Sequence, residues 1–314
     1  MSMVRWFDDV PVIGNLPAEQ AIEKLRDIGE EDVADRLEMA GQAEAKSFRG
    51  SGPRGWLHLQ DRPWEHTAHT FGYLAPAPPG NEALPIHPIG SIAADAHLKG
   101  SRIKITLSRL RAAAYPGRGV HRVLLHFYAQ NQLPHSKEDV HFNATYRVHD
   151  GEHAGIHGYP IFVGLNVGDE GLSLRCRTIN VSNDQDEDFL NILEAPVFKA
   201  GLHLVTTAQP ALAPFSEIAY GLAEQIAKRH RNVSVQDFDL GLDFGSIAVN
   251  GRLAEGSYLA VQIPENQQNS QQASWNWQDW VYDPGRDQVV KRTDHQRLIP
   301  YNYLIFSISR YEGK

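Results

Sequence analysis

The 314-residue chain predicts a mainly β protein: an antiparallel β-sandwich with one inserted helix and a small N-terminal helical hairpin. Three observations carry that prediction. From residue 101 the apolar residues recur with a period of two, as in Ile103, Ile105 and Leu107 against Arg102, Lys104 and Thr106, the mark of a half-buried strand. About nine such segments follow one another with turn residues between them and few helical stretches. They alternate face by face, whereas strands of a buried parallel sheet would read as unbroken apolar runs.

The chain opens with a helix over 17–28. Pro17 suits its first turn, acids crowd its start, and Ala21, Ile22, Leu25 and Ile28 fall at helical spacing before Gly29 closes it. A second helix over 30–40 puts Val33, Leu37 and Ala40 on one face and is expected to end at Gly41. These two make an acidic hairpin spanning 1–45, whose thin apolar stripes must pack on the rest of the chain or on another protein. Residues 46–100 read as a proline-rich connector. SFRGSGPRG is a turn-rich linker, and APAPPGNEALPIHPIG forbids helix and interior strand. The stretch between them offers one short strand.

The sandwich is assigned to 101–314, with strands over 102–109, 121–129, 139–148, 160–167, 171–181, 235–244, 256–263, 275–282 and 301–311. A helical insertion, 187–231, interrupts it. Within the insertion a helix over 214–231 places Phe215, Ile218, Ala219, Leu222 and Ile226 on one face. Pro214 takes its first position, and Lys228, Arg229, His230 and Arg231 stand where cations favour the helix dipole.

Composition narrows the class. With 42% hydrophobic and 22% charged residues, the chain can build a core, so a mainly disordered protein is excluded. One cysteine, Cys176, excludes an internal disulfide framework and a Cys-pair zinc site. No run approaches the ~18 apolar residues of a membrane span, and the N-terminus carries acids where a signal peptide carries bases. The expectation is a soluble protein, most simply a cytoplasmic one. The net charge is −8, and residues 1–45 hold eleven acids against four bases, leaving 27 acids and 26 bases for the remainder. That asymmetry suits docking to a basic partner chain and disfavours nucleic acid. A solvated helix surface is the plainer explanation.

Three clusters are candidates for chemistry. Asp237, Asp239 and Asp243 share the strand face opposite Phe238, Leu240, Leu242 and Phe244. Carboxylates two apart on a strand lie within roughly 7 Å, and their repulsion is costly unless a cation or a base neutralises it. If the loop bearing Asp184, Asp186 and Asp188 closed over them, an oxygen-rich Ca2+ or Mg2+ site would result. Sandwiches of C2-like architecture build calcium sites from acidic end loops, but no C2 motif is matched, and the likeness is architectural only. Solvated acids are the plainer alternative.

The second cluster is His149, His153 and His157, spaced i, i+4 and i+8, with His141 and Asp150 nearby and a separate His66/His69 pair. Such spacing binds zinc or nickel on a helix. Gly151, Gly155 and Gly158 oppose a helix here, which leaves loop histidines. The third is SWNWQDWVY, a binding surface in which Trp275 and Trp277 share one face and Trp280 with Tyr282 the other. Burial is the commoner fate of tryptophan.

Several enzyme templates are missing. GxSxG, GxxxxGK[ST] and HExxH do not occur in the sequence. Cys176 stands between Arg175 and Arg177, whose side chains take the opposite face, and reads as a buried structural thiol. The leading expectation is therefore a non-enzymatic binding or adaptor protein, using a sandwich recognition surface and an acidic helical docking unit. Alternatives are a metal-dependent hydrolase using the Asp or His cluster, and a calcium-dependent membrane-surface module.

Overall fold

The computed structural model describes residues 6–46, 62–76, 80, 82–133, 135–156, 158–182, 201–204, 212–245, 251–269 and 275–313. Strands dominate, and two large sheets face one another. The larger runs in the order β10 (Leu202–His203), β8 (Tyr159–Asn166), β4 (Arg102–Ala112), β17 (Tyr303–Arg310), β13 (Gly256–Ile263), β1 (Ala68–Leu74) and β3 (His87–Pro88), with β7 (Glu152–His153) also pairing β4. The second has the order β12 (Gly251–Arg252), β11 (Val233–Asp243), β9 (Leu172–Asn180), β5 (Val120–Leu133) and β6 (Ser136–His149). Pairing is antiparallel except for the short β10 and β12. The inner faces meet in one cluster that includes Ile103, Ile105, Leu107, Phe127, Phe142, Leu174, Phe238, Leu240 and Phe306. This is the sandwich that the two-residue period predicts.

Each sheet also has a covered outer face. Over the eight-stranded sheet lies a small sheet in the order β16 (Asp294–Leu298), β15 (Gln288–Lys291), β14 (Trp280–Asp283) and β2 (Leu84–Pro85). Ile86, Trp277, Val289 and Ile299 pack there against Leu259, Val261 and Ile305. Over the five-stranded sheet lie Trp6, Phe7 and a helix, Leu212–Lys228, which pack on Leu124, Tyr128 and Ile179.

The N-terminal hairpin consists of α1 (Ala18–Asp27) and α2 (Glu31–Lys46). Gly29 at φ 79° ends α1, with Gly29 N–H donating to Arg26 O at 3.1 Å and Glu30 N–H to Leu25 O at 2.8 Å. That double closure needs a left-handed residue, which glycine supplies at little cost. Gly41 does not end α2, which runs on to Lys46. A glycine inside a helix costs only about 1 kcal/mol and stops nothing unless its backbone turns left-handed. Ala21, Leu25, Val33, Ala34 and Leu37 join the main sandwich cluster, so the hairpin closes one part of the core.

Other boundaries also move. The one short strand expected between the turn-rich and proline-rich stretches is β1, which pairs over its whole length with β13. Among the described residues the proline-rich stretch supplies only two-residue strands, and these stand at sheet edges, where a missing N–H is tolerated. Gly72 in β1 lets the Trp277 ring and Ile86 approach within 3 Å of where its Cβ would stand. Trp277 lies in a short 3-10 turn, Trp277–Asp279, and the strand begins at Trp280. The helix Leu212–Lys228, hereafter α3, begins two residues before Pro214. Its buried face is Ala219, Tyr220, Ala223, Ile226 and Ala227, whereas Ile218 is 65% exposed. The alanines permit close approach to β5 and β6, and Ile218, about 100° further round the helix, turns outward.

Candidate binding cleft

In β4 the alternation of inward Ile103, Ile105 and Leu107 breaks. The next inward residues are Leu110 and Ala112, so Ser108 and Arg109 both take the outer face. The β4–β17 register shifts at this point, between Ile305 and Phe306. A β-bulge inserts one residue and re-aims its neighbours in this way. Ser108 and Arg109 thereby join Ser257, Tyr282, Asp287, Leu84 and Glu82 in lining a cleft of 810 Å3 between the large sheet and the small one. Two other clefts measure 460 and 490 Å3. Small-molecule sites typically enclose about 300–1,000 Å3.

Polar groups converge in this cleft. Ser108 Oγ lies 2.9 Å from Ser307 Oγ, which lies 2.8 Å from Ser257 Oγ, a row of hydroxyls across three neighbouring strands. Arg109, 9% exposed, ion-pairs with Asp287. Asp287 closes the β14–β15 hairpin at φ 57°, a left-handed conformation that aspartate accepts better than most residues. It also accepts a hydrogen bond from Tyr282 Oη. Two positions on, Arg111 takes the same face and pairs across strands with Tyr303 and His153. His153 Nε2 lies 2.9 Å from Tyr303 Oη. Burial and the two arginines hold His153 neutral down to about pH 4, while burial pushes the Tyr303 phenol up to about 12.

The aspartates expected on one face of β11 do share it. Cross-strand register sets Asp237 opposite Arg177 and Asp239 opposite Arg175, and both pairs form ion pairs. Asp243 pairs with Arg252 at 2.9 Å. Bases thus supply the neutralisation that this face requires. Asp237 further accepts from Trp6 Nε1 at 3.1 Å, which ties the N-terminal segment to the sheet. Burial raises the Asp239 carboxyl. Asp184, Asp186, Asp188 and His157 lie outside the described residues. Among the described residues no group of three or more His, Cys, Asp or Glu side chains is placed to hold a metal ion.

His149 and His153 are separated by topology. His149 ends β6 in the five-stranded sheet, exposed, while His153 belongs to the eight-stranded one. A histidine pair unannounced by spacing does come together: His126 Nε2 lies 3.0 Å from His141 Nδ1, and His126 Nδ1 lies 2.6 Å from Asn143 Oδ1. Both histidines are buried under α3. Trp277 is 5% exposed, whereas Trp275 and Trp280 are half-buried and stacked, with centroids 6.0 Å apart. Cys176 is buried, and burial pushes its thiol well up.

Many of the N-terminal acids are already paired. Arg26 bridges Asp35 and Glu38, Arg62 holds Glu30, Lys228 holds Asp9 at 2.8 Å, and His230 meets Asp27 at 3.1 Å. No described helix is long and apolar enough to cross a membrane. Of the residues of the 810 Å3 cleft, Tyr282 belongs to the aromatic segment noted in the sequence; the signal for Ser108, Arg109 and Asp287 is the lapse of alternation in LSRLRA and the turn DPGRD. No family model, curated protein or solved structure matches this chain.

Proposed function

We propose that this chain is a non-enzymatic binding protein whose recognition site is the cleft between its eight-stranded and four-stranded sheets. The observation that carries the reading is the bulge in β4. It brings Ser108 and Arg109 together on one face, beside Ser257 and Ser307, on paired strands that hold the groups in fixed positions. A rigid scaffold with a few convergent polar groups in a concavity of this size is the usual form of a small-molecule site. The acids of the N-terminal hairpin contribute less to recognition than their number suggests, because Asp9, Asp27, Glu30, Asp35 and Glu38 pair within the chain.

The test is a screen of small polar molecules against the full chain, read by thermal shift and by ligand-detected NMR. A ligand at about 100 times its Kd adds roughly 2.7 kcal/mol, a shift of several degrees. Ligands that lose their effect in Ser257→Trp, which fills the cleft, support the reading. Ligands indifferent to that substitution place recognition elsewhere. Chemical turnover of a bound ligand would replace a binding protein with an enzyme.

A further inference from the structure

Two guanidinium groups stand on the same face of β4; Arg109 lines the cleft together with the carboxylates of Asp287 and Glu82, and Arg111 lies outside that lining. Arg109 pairs with Asp287. Arg111 is 5% exposed, and its one described hydrogen bond is donated to the Gly151 carbonyl at 2.8 Å. The Nε atoms of both arginines are buried without a hydrogen-bond partner among the described residues. Removing a guanidinium from water is costly unless an anion and full hydrogen bonding accompany it. His153, beside Arg111, is held neutral and adds no charge. Arg109 and Arg111 balance Asp287 and Glu82 in formal charge, so the unmet demand is for hydrogen-bond acceptors at the buried Nε–H groups.

Asp287 is the group most able to yield. Its side chain is 41% exposed, and it sits on a hairpin turn, so it can swing outward without opening a sheet. Replacing it on the guanidinium would cost no strand pairing. The serine row fits the remaining demand. Each hydroxyl can donate or accept, so Ser108, Ser307 and Ser257 can reorient toward an incoming oxygen. Glu82 lines the same cleft, which weighs against a polyanion.

We propose that the cleft binds a single anionic head group, a carboxylate or a phosphate, on Arg109, and that Asp287 occupies that guanidinium as a resident counter-ion which the ligand displaces. This rests on the cleft being the recognition site. Arginine suits the task because its planar fork meets two oxygens at once. The anion takes one edge of the fork and the nearest serine hydroxyl, and Arg111 adds long-range attraction from the neighbouring position.

The full chain is titrated with inorganic phosphate, acetate and, as a neutral probe, glycerol, at ionic strength held constant with sodium chloride. Shifts of the Arg109 Nε–H signal and of the Ser257 and Ser307 amides give the affinities. Asp287→Asn keeps the size of the side chain and the left-handed backbone preference while removing the charge. It should bind the preferred anion about tenfold more tightly than the unchanged protein. Arg109→Gln/Asp287→Asn removes both partners, avoids a stranded carboxylate and should lose the anion response. The acetate and phosphate arms decide which head group is preferred. Equal anion affinity in Asp287→Asn and the unchanged protein, or retained affinity in the double variant, overturns the proposal. Glycerol binding that Ser257→Trp abolishes, with no anion response, overturns the anion and leaves the cleft as a binding site. If none of the three probes moves any cleft signal, both readings fall.

Discussion

At the residue scale, Asn143 shows how one buried polar side chain satisfies both of its groups. Asn143 Oδ1 meets His126 Nδ1 at 2.6 Å, and its Nδ2 donates to Ala219 O at 2.7 Å, so a single side chain joins β6, β5 and α3. Asn143→Ala strands both partners and should cost about 2–4 kcal/mol, judged by the usual penalty for unsatisfied buried groups; urea unfolding checks it. Arg177→Met should cost about 3–5 kcal/mol because Asp237 is left uncompensated, and Arg177→Met/Asp237→Asn should recover part of that loss. Two further histidines matter with pH. Burial lowers His126 well below its ordinary value and His69 to about 4. Each stays neutral when folded but takes a proton when unfolded below about pH 6.5. Stability is therefore full above that value and falls toward pH 4, by about 1.4 kcal/mol per pH unit for each histidine. Urea midpoints at pH 7, 6 and 5 should drop in sequence; a flat profile would show that both rings take up protons in the folded state.

At the element scale, legibility followed periodicity. Strands with clean alternation were readable to within a few residues: β8 was expected at 160–167 and lies at Tyr159–Asn166. The carboxylate face of β11 was readable for the same reason, and its partners were present as the matching alternation Arg175, Cys176, Arg177. Antiparallel register, which sets DFD against RCR, is a long-range fact that no local pattern contains. The cleft was hidden because the bulge that builds it erases the period over Leu107–Leu110. The hairpin shows the other limit. Its thin stripes left open whether it covers this chain or another, and the structure packs Leu25 and Leu37 into the sandwich cluster. Leu25→Ala should accordingly cost about 2–5 kcal/mol, whereas Arg26→Ala, whose ion pairs are exposed, should leave stability almost unchanged. Comparable small losses from both would place the hairpin outside the cooperative core.

At the scale of the whole molecule, the layers cannot separate without exposing one another. The C-terminal strand β17 lies between β4 and β13 in the eight-stranded sheet, and β1, from far upstream, continues that sheet beyond β13. Long-range pairings therefore close the fold, and loop-closure entropy opposes each until the rest is in place. The three apolar clusters share sheets rather than linkers: both faces of the eight-stranded sheet and both faces of the five-stranded one are packed. Unfolding any outer layer uncovers Leu259 and Val261 on one side or Leu124 and Ile179 on the other. Each cluster also carries its own tryptophan: Trp6 under α3, Trp64 in the sandwich and Trp277 under the small sheet. Replacing these one at a time by phenylalanine gives three views of a single equilibrium. Where two-state behaviour holds, probes in different regions report one midpoint, so the urea transitions seen by fluorescence loss, far-UV dichroism and amide exchange should coincide within each variant. An early transition seen only when Trp6 is present would show that the N-terminal segment and α3 detach before the sandwich. The ion pair between Asp237 and Arg177, with Trp6 bonded to the same carboxylate, argues that they let go together.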